Sequence, residues 1–110
     1  MTLAQIHTML KGITGFDGKV AYRSFPVGKA PKLPFICYLD TNTSNFVADN
    51  KVYTIIQSID IELYTKTKDV TTEGLVETEL AKNNIIRNKY EQYLDDEQVY
   101  EVIYTISIDQ

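Results

Sequence analysis

The side chains able to do chemistry are few, and their spacing brings no catalytic set together. Cys37 is the only cysteine and His7 the only histidine. A nucleophilic thiol needs a base or a cation beside it. His7 belongs to a separate amphipathic segment, and Cys37 sits among Phe35, Ile36, Tyr38 and Leu39 like an ordinary buried strand residue. Being unpaired, Cys37 cannot close an internal disulfide, which suits a reducing compartment. Asp95, Asp96 and Glu97 offer the oxygen ligands that calcium or magnesium takes, but three consecutive carboxylates in a tight turn read first as a solvated hairpin tip. Glu91 and Glu101 fall on the two strands of one hairpin and could lie near each other, but paired carboxylates on a sheet face without a pocket are weak grounds for acid/base catalysis. There is no glycine-rich phosphate loop, no pair of cysteines or histidines at metal spacing, and no serine in a nucleophile elbow. The reading is a protein that is not an enzyme, with no catalytic residue, no metal and no cofactor.

Charge and composition narrow the class further. The chain has 110 residues, a size that suits one domain spanning residues 1–110, and its apolar fraction of 44% argues against disorder. The net charge is −4, yet before Pro34 the charges are Lys11, Lys19, Arg23, Lys29 and Lys32 against Asp17 alone. The N-terminal third is therefore basic and the remainder acidic. Lys29 and Lys32, in the loop between Gly28 and Pro34, suit either solvent or an acidic partner. Nucleic-acid binding as the main task is disfavoured, because the overall sign is wrong and basic and aromatic residues do not interleave. No apolar run approaches the roughly 20 residues that span a bilayer, and the start of the chain lacks the pattern of a signal peptide, so no membrane association and no general secretory export are expected.

The elements that position these residues can be read from periodicity. Leu3, Ile6, Leu10 and Ile13 recur at helical spacing behind a Thr2/Gln5 capping box, predicting a helix over 3–13 that Gly12 and Gly15 stop. His7 lies beside that stripe as a partly exposed residue. A short strand is expected over 19–25, and a loop over 26–34, where three prolines and Gly28 exclude regular structure. Phe35–Asp40 reads as a second strand and Thr41–Asn50 as a polar loop. The longest strand signal covers 51–65, with Tyr53, Ile55, Ile59, Ile61 and Leu63 on one face and Gln57 as the polar exception. At roughly 3.3 Å per residue, such a strand outruns a small domain, so it must bulge near Gln57 or Ser58 or project as an arm.

Asp69 caps a predicted helix over 70–82, in which Glu73 suits the positive end of the dipole, Leu75, Val76 and Leu80 form a modest apolar face, and Asn83 and Asn84 end the element. The last quarter, 85–108, alternates apolar and polar residues around the acidic turn and is a β-hairpin. On its second strand Tyr100, Val102, Tyr104, Ile106 and Ile108 share one face. The expected fold is α+β: a largely antiparallel sheet of about five strands, with two helices packed on one face, in the order α-β-β-β-α-β-β.

Three segments in this order and spacing resemble the small tail-completion, or tail terminator, proteins of long-tailed phages and prophages of Gram-positive bacteria. They are Leu33-Pro34-Phe35-Ile36-Cys37-Tyr38, then Asn45-Phe46-Val47-Ala48-Asp49-Asn50-Lys51-Val52-Tyr53, then Ile61-Glu62-Leu63-Tyr64-Thr65 with Lys68-Asp69. Tyr90-Glu91-Gln92-Tyr93 and Glu97-Gln98-Val99-Tyr100-Glu101-Val102-Ile103-Tyr104 continue the resemblance, which covers most of the chain from Leu33 to Ile108. Asn88 and Lys89 depart from it, standing where an acidic or aromatic approach to the hairpin is expected.

The resemblance implies a structural protein of the virion that caps the tail tube, stops its polymerisation and provides the surface for head-tail joining. It also implies a homo-oligomeric ring, commonly a hexamer, whose partners are itself, the tail tube protein and a head-completion or connector protein, with DNA passing through the channel without specific binding. Its place would be the head-proximal end of the tail, and the host cytoplasm during assembly. Asn45, Phe46, Asp49 and Asn50, with Lys66 and Lys68 at the far end of the long strand, are the residues expected to contact partners. Two other readings stand beside this one: a head-tail adaptor of the neck, and a small regulatory or ligand-binding α+β domain.

Overall fold

The computed structural model describes residues 1–48 and 51–109, with only the backbone described for 44–48 and 51–54. The elements are α1 (Leu3–Lys11), β1 (Val20–Tyr22), β2 (Phe35–Ala48), β3 (Lys51–Thr65), α2 (Val70–Lys82), β4 (Arg87–Leu94) and β5 (Val99–Asp109). The fold is α+β and its element order is the one the periodicity predicts. The five strands form one sheet in the order β1-β2-β3-β5-β4, antiparallel throughout except for the parallel pair β1–β2.

Local chemistry explains both helices. The hydroxyl of Thr2 accepts from the backbone N–H of Gln5 at 3.2 Å, and the Gln5 amide oxygen accepts from the Thr2 N–H at 2.8 Å, completing the capping box. α1 ends at Lys11, two residues short of the predicted boundary, because Gly12 takes the cap; Ile13 still reaches the core through a tight turn in which its N–H bonds to Leu10. α2 keeps its predicted bounds. Asp69 caps it by accepting from the Thr72 N–H at 3.0 Å, and at the other end Asn84 adopts φ 58°. The Ile85 N–H then bonds to the Leu80 carbonyl and the Asn84 N–H to that of Ala81, a Schellman closure.

The core lies between the helices and one face of the sheet. Ile6, Leu10, Ile36, Ile59, Ile61, Leu63, Val76, Leu80, Val102 and Tyr104 are all fully buried there. The predicted apolar face of β5 is confirmed, with Val102, Tyr104, Ile106 and Ile108 buried and Tyr100 partly buried against them. In α2 the buried stripe is Glu73, Val76 and Leu80, while Leu75 is 41% exposed. A carboxylate therefore occupies a place in the apolar stripe, and Leu75 does not.

Two expectations about the long strands need correcting. β2 does not stop at Asp40: it continues to Ala48, so most of the segment expected to be a polar loop is strand. Polar residues such as Thr43 and Asn45 pair with Gln57 and Ile55 of β3, and that ladder overrides their weak strand preference. The long strand needs no bulge of its own near Gln57, because the register shift between Asp40 and Asn42 belongs to β2, opposite Ile59 and Ser58. β3 also projects. β5 pairs with β3 only from Ile56 to Thr65, and β1 reaches β2 only from Ile36 to Tyr38. Among the described residues, the end of the β2–β3 hairpin, from the Asn45–Ile55 pair to the Ala48–Lys51 pair, has no third strand beside it. The molecule is correspondingly elongated, 50 × 28 × 24 Å. At the other edge, β1 ends at Tyr22 because Arg23 adopts φ 67°.

Candidate functional site

Two features outside the core gather polar side chains: an ion-pair network under α2 and the uncovered face of the sheet. The network arises because β4 turns charged residues toward the helices. Register places Lys89 beside Tyr104 and Glu91 beside Val102, on the same face as the core. Glu73, whose side chain is 3% exposed, accepts on one carboxyl oxygen, Oε1, from Lys68 Nζ and Lys89 Nζ, both at 2.7 Å. Its other oxygen, Oε2, is buried without a hydrogen bond. Lys89 also binds Glu77 at 2.8 Å, Arg87 approaches Glu77 at 3.7 Å, and the Tyr104 hydroxyl donates to Glu77 at 2.7 Å. Lys68 and the Tyr100 hydroxyl, the latter at 2.6 Å, both donate to Glu91.

The electrostatic consequences follow from this pairing. Burial alone would raise the Glu77 carboxyl, but hydrogen bonds from Lys89 and Tyr104 and the charges of Lys89 and Arg87 hold it below the usual range. Hydrogen bonds from Lys68 and Tyr100 hold Glu91 low as well. An open cleft of about 650 Å³ borders the network, lined in part by Glu77, Ile86, Arg87 and Lys89. Its charged groups are already engaged within the chain, so the arrangement ties α2 to the edge strand.

The opposite face of the sheet carries no helix. Across the strands its rows read Phe35–Tyr64–Glu101–Gln92, Cys37–Glu62–Ile103–Tyr90 and Leu39–Asp60–Thr105–Asn88. The loop after β1 reaches this face at one side: the Phe25 ring lies 5.3 Å from that of Phe35, which in turn lies 5.2 Å from Tyr64. Three carboxylates share the remainder, and among the described residues each is bound by neutral groups only. Thr105 donates to Asp60 at 2.8 Å, Tyr64 to Glu62 at 3.2 Å and Gln92 to Glu101 at 2.5 Å. Burial, followed by repulsion from Glu101 and Asp60, outweighs the Tyr64 hydrogen bond and raises the Glu62 carboxyl. Burial, with the charges of Glu62 and Glu101, pushes the Cys37 thiol up to about 11. Cys37 thus faces away from α1, whereas His7 meets Tyr38 on the helix side, Nδ1 to hydroxyl 3.0 Å. The sheet separates the only thiol from the only imidazole.

The residues expected to contact partners are dispersed. Lys66 is exposed after β3, while Lys68 is engaged by Glu73 and Glu91. Asn45 and Phe46 belong to β2 in the hairpin arm, and their side chains, like Asp49 and Asn50 altogether, lie outside the described residues. Asp95, Asp96 and Glu97 are exposed in the β4–β5 turn, and among the described residues no group of acids, histidines and cysteine is arranged to hold a metal. Glu91 and Glu101 are not a pair: register sets Glu91 beside Val102 and Glu101 beside Gln92, so the two carboxylates point to opposite faces. Sequence reasoning did not single out the Glu73 network or the Asp60–Glu62–Glu101 face. The second had a signal, since these are the polar positions alternating with Ile59, Ile61, Leu63 and Val102, but strand order was needed to bring them together.

Comparison with protein families found no matching family model, and comparison with curated proteins found no significant match.

Proposed function

We propose that this chain is a structural assembly protein of a tailed phage or prophage, acting as a ring at the head-proximal end of the tail tube. There it stops tube growth and offers the surface on which the head is joined. It works by surface complementarity, without turnover or cofactor, and DNA passes through its channel unread. The observation that carries the reading is the β2–β3 hairpin, whose end runs beyond both flanking strands among the described residues. A paired but unflanked arm suits gripping a neighbouring subunit. It also contains the Asn45-to-Tyr53 segment on which the resemblance to tail-completion proteins partly rests. Exposed tyrosines, Tyr22, Tyr90 and Tyr93, add contact area with a polar tip, and a net charge of −4 limits capture of DNA phosphates.

The test is negative-stain imaging of the purified protein with tail tube subunits, wild type against Phe46→Glu. Wild-type protein is expected to form rings and to cap tubes of defined length, and Phe46→Glu to keep its circular dichroism spectrum while losing rings or tail attachment. Tubes that grow unchecked in the presence of wild-type protein would refute the capping role. Binding to head-completion or connector subunits instead would identify an adaptor of the neck.

A further inference from the structure

The loop between β1 and β2 ends in an organised apolar tip. The Lys29 N–H bonds to the Pro26 carbonyl at 2.9 Å and Gly28 adopts φ 75°, a conformation that glycine takes without strain in a tight turn. Val27 stands at the apex, fully exposed. Lys29 and Lys32 flank it, both exposed and without an ion-pair partner among the described residues. A prolyl turn already holding this shape loses little entropy on docking. Elsewhere on the same molecule, the helix-free face of the sheet offers the complement. Asp60 and Glu62 lie there, partly exposed and with no cation among the described residues, beside Leu39, Ile103 and the 59% exposed Tyr90, while Glu101 is buried behind them. Burial raises the Glu62 carboxyl most, and repulsion from Glu101 and Asp60 adds to it; an incoming ammonium group would relieve the repulsion.

We propose that this face receives the Val27 turn of a second copy of the chain, with Lys29 and Lys32 set against Asp60 and Glu62. The two patches differ, so the contact is heterologous: each copy gives its turn to one neighbour and its acidic face to another, the geometry that closes into rings. This deepens the ring reading and rests on it for biological meaning, but its contact is defined by this chain alone.

Sedimentation velocity over a range of concentrations and salt tests it. Wild type is expected to self-associate, more weakly at high salt. Lys29→Glu/Lys32→Glu and Asp60→Lys/Glu62→Lys are each expected to associate roughly tenfold more weakly. An equimolar mixture of the two should regain association, because each reversed patch then meets its complement. Val27→Asp, a change at a fully exposed site that cannot disturb the core, should weaken association without altering the melting temperature. A wild type that stays monomeric throughout, variants that associate like wild type, or a mixture that fails to recover would each overturn the proposal. If association follows this pairing while tail tubes go uncapped, the contact stands and the tail reading fails. If tubes are capped equally by wild type and variants that associate alike, the tail reading stands and the contact fails.

Discussion

Glu62 and Glu77 carry the same carboxyl group on opposite sides of one sheet, and their surroundings push it in opposite directions. For Glu62 the folded-state value lies above the ordinary 4.5, so its ionised form costs stability at neutral pH and that cost disappears as pH falls through the raised value. Glu62→Gln is therefore expected to stabilise the protein at about pH 7 by about 0.5–1 kcal/mol, with the gain vanishing near about pH 4. For Glu77 the folded value is depressed, so its contribution is present above 4.5 and is lost as pH falls through the folded value. Glu77→Gln should cost about 1–2 kcal/mol at neutral pH and progressively less in acid. Urea unfolding across the acid range reads both, and effects of the same sign would contradict this account. Cys37 gives a second check. With its thiol raised to about 11, native protein should react with an aromatic disulfide reagent about two orders of magnitude more slowly than the urea-unfolded chain at mildly alkaline pH. Equal rates would show the thiol to be neither buried nor electrostatically disfavoured.

Among the elements, α1 depends on its first turn most directly. The helix has nine residues, too few to be stable alone, and Ile6, Met9 and Leu10 are its buried contribution to the core. Thr2→Ala removes one half of the capping box and is expected to cost about 1 kcal/mol, measured by thermal or urea unfolding, whereas Thr2→Ser should cost only a few tenths. Loss of the same size in both would mean that the threonine methyl, and not the hydroxyl, is what matters. α2 is secured differently. Its hydrogen-bonded Asp69 cap and Schellman closure set the ends, and Glu73 and Glu77 reach Lys68 of the preceding loop and Arg87 and Lys89 of β4. The apolar part of its buried stripe is correspondingly small.

At the scale of the whole molecule, β3 is the element on which the rest converges. It lies at the centre of the sheet order, and Ile59, Ile61 and Leu63 present no exposed surface. Ile61→Ala opens a cavity between β2, β5 and the helices where little can collapse to fill it, and a loss of about 3–5 kcal/mol is expected. Against the roughly 5–15 kcal/mol typical of a domain, that is a large fraction of the total. Ile55→Ala, at a 38% exposed position where β3 has left β5, should cost less than 1 kcal/mol by the same measurement. Similar costs at the two sites would mean that the arm is packed as tightly as the centre.

Local chemistry determined the order of elements and the ends of both helices. The capping box of Thr2 and Gln5, the Asp69 cap, the paired asparagines after Lys82 and the alternation along β5 each act within a few residues, so their outcome is written in short stretches of chain. The α+β class and the order of elements followed from those signals. Tertiary structure decided what depended on distant partners. Asn42, Thr43 and Asn45 are strand because β3 lies beside them, and Glu73 is buried because Lys89 comes from β4 to join the nearby Lys68 in meeting it. Glu91 and Glu101 part company because register, which no short segment contains, sends them to opposite faces. The acidic face exists only once β3 and β5 are neighbours, for Asp60 and Glu62 are some forty residues from Glu101 along the chain but stand with it on three successive rows of one sheet face.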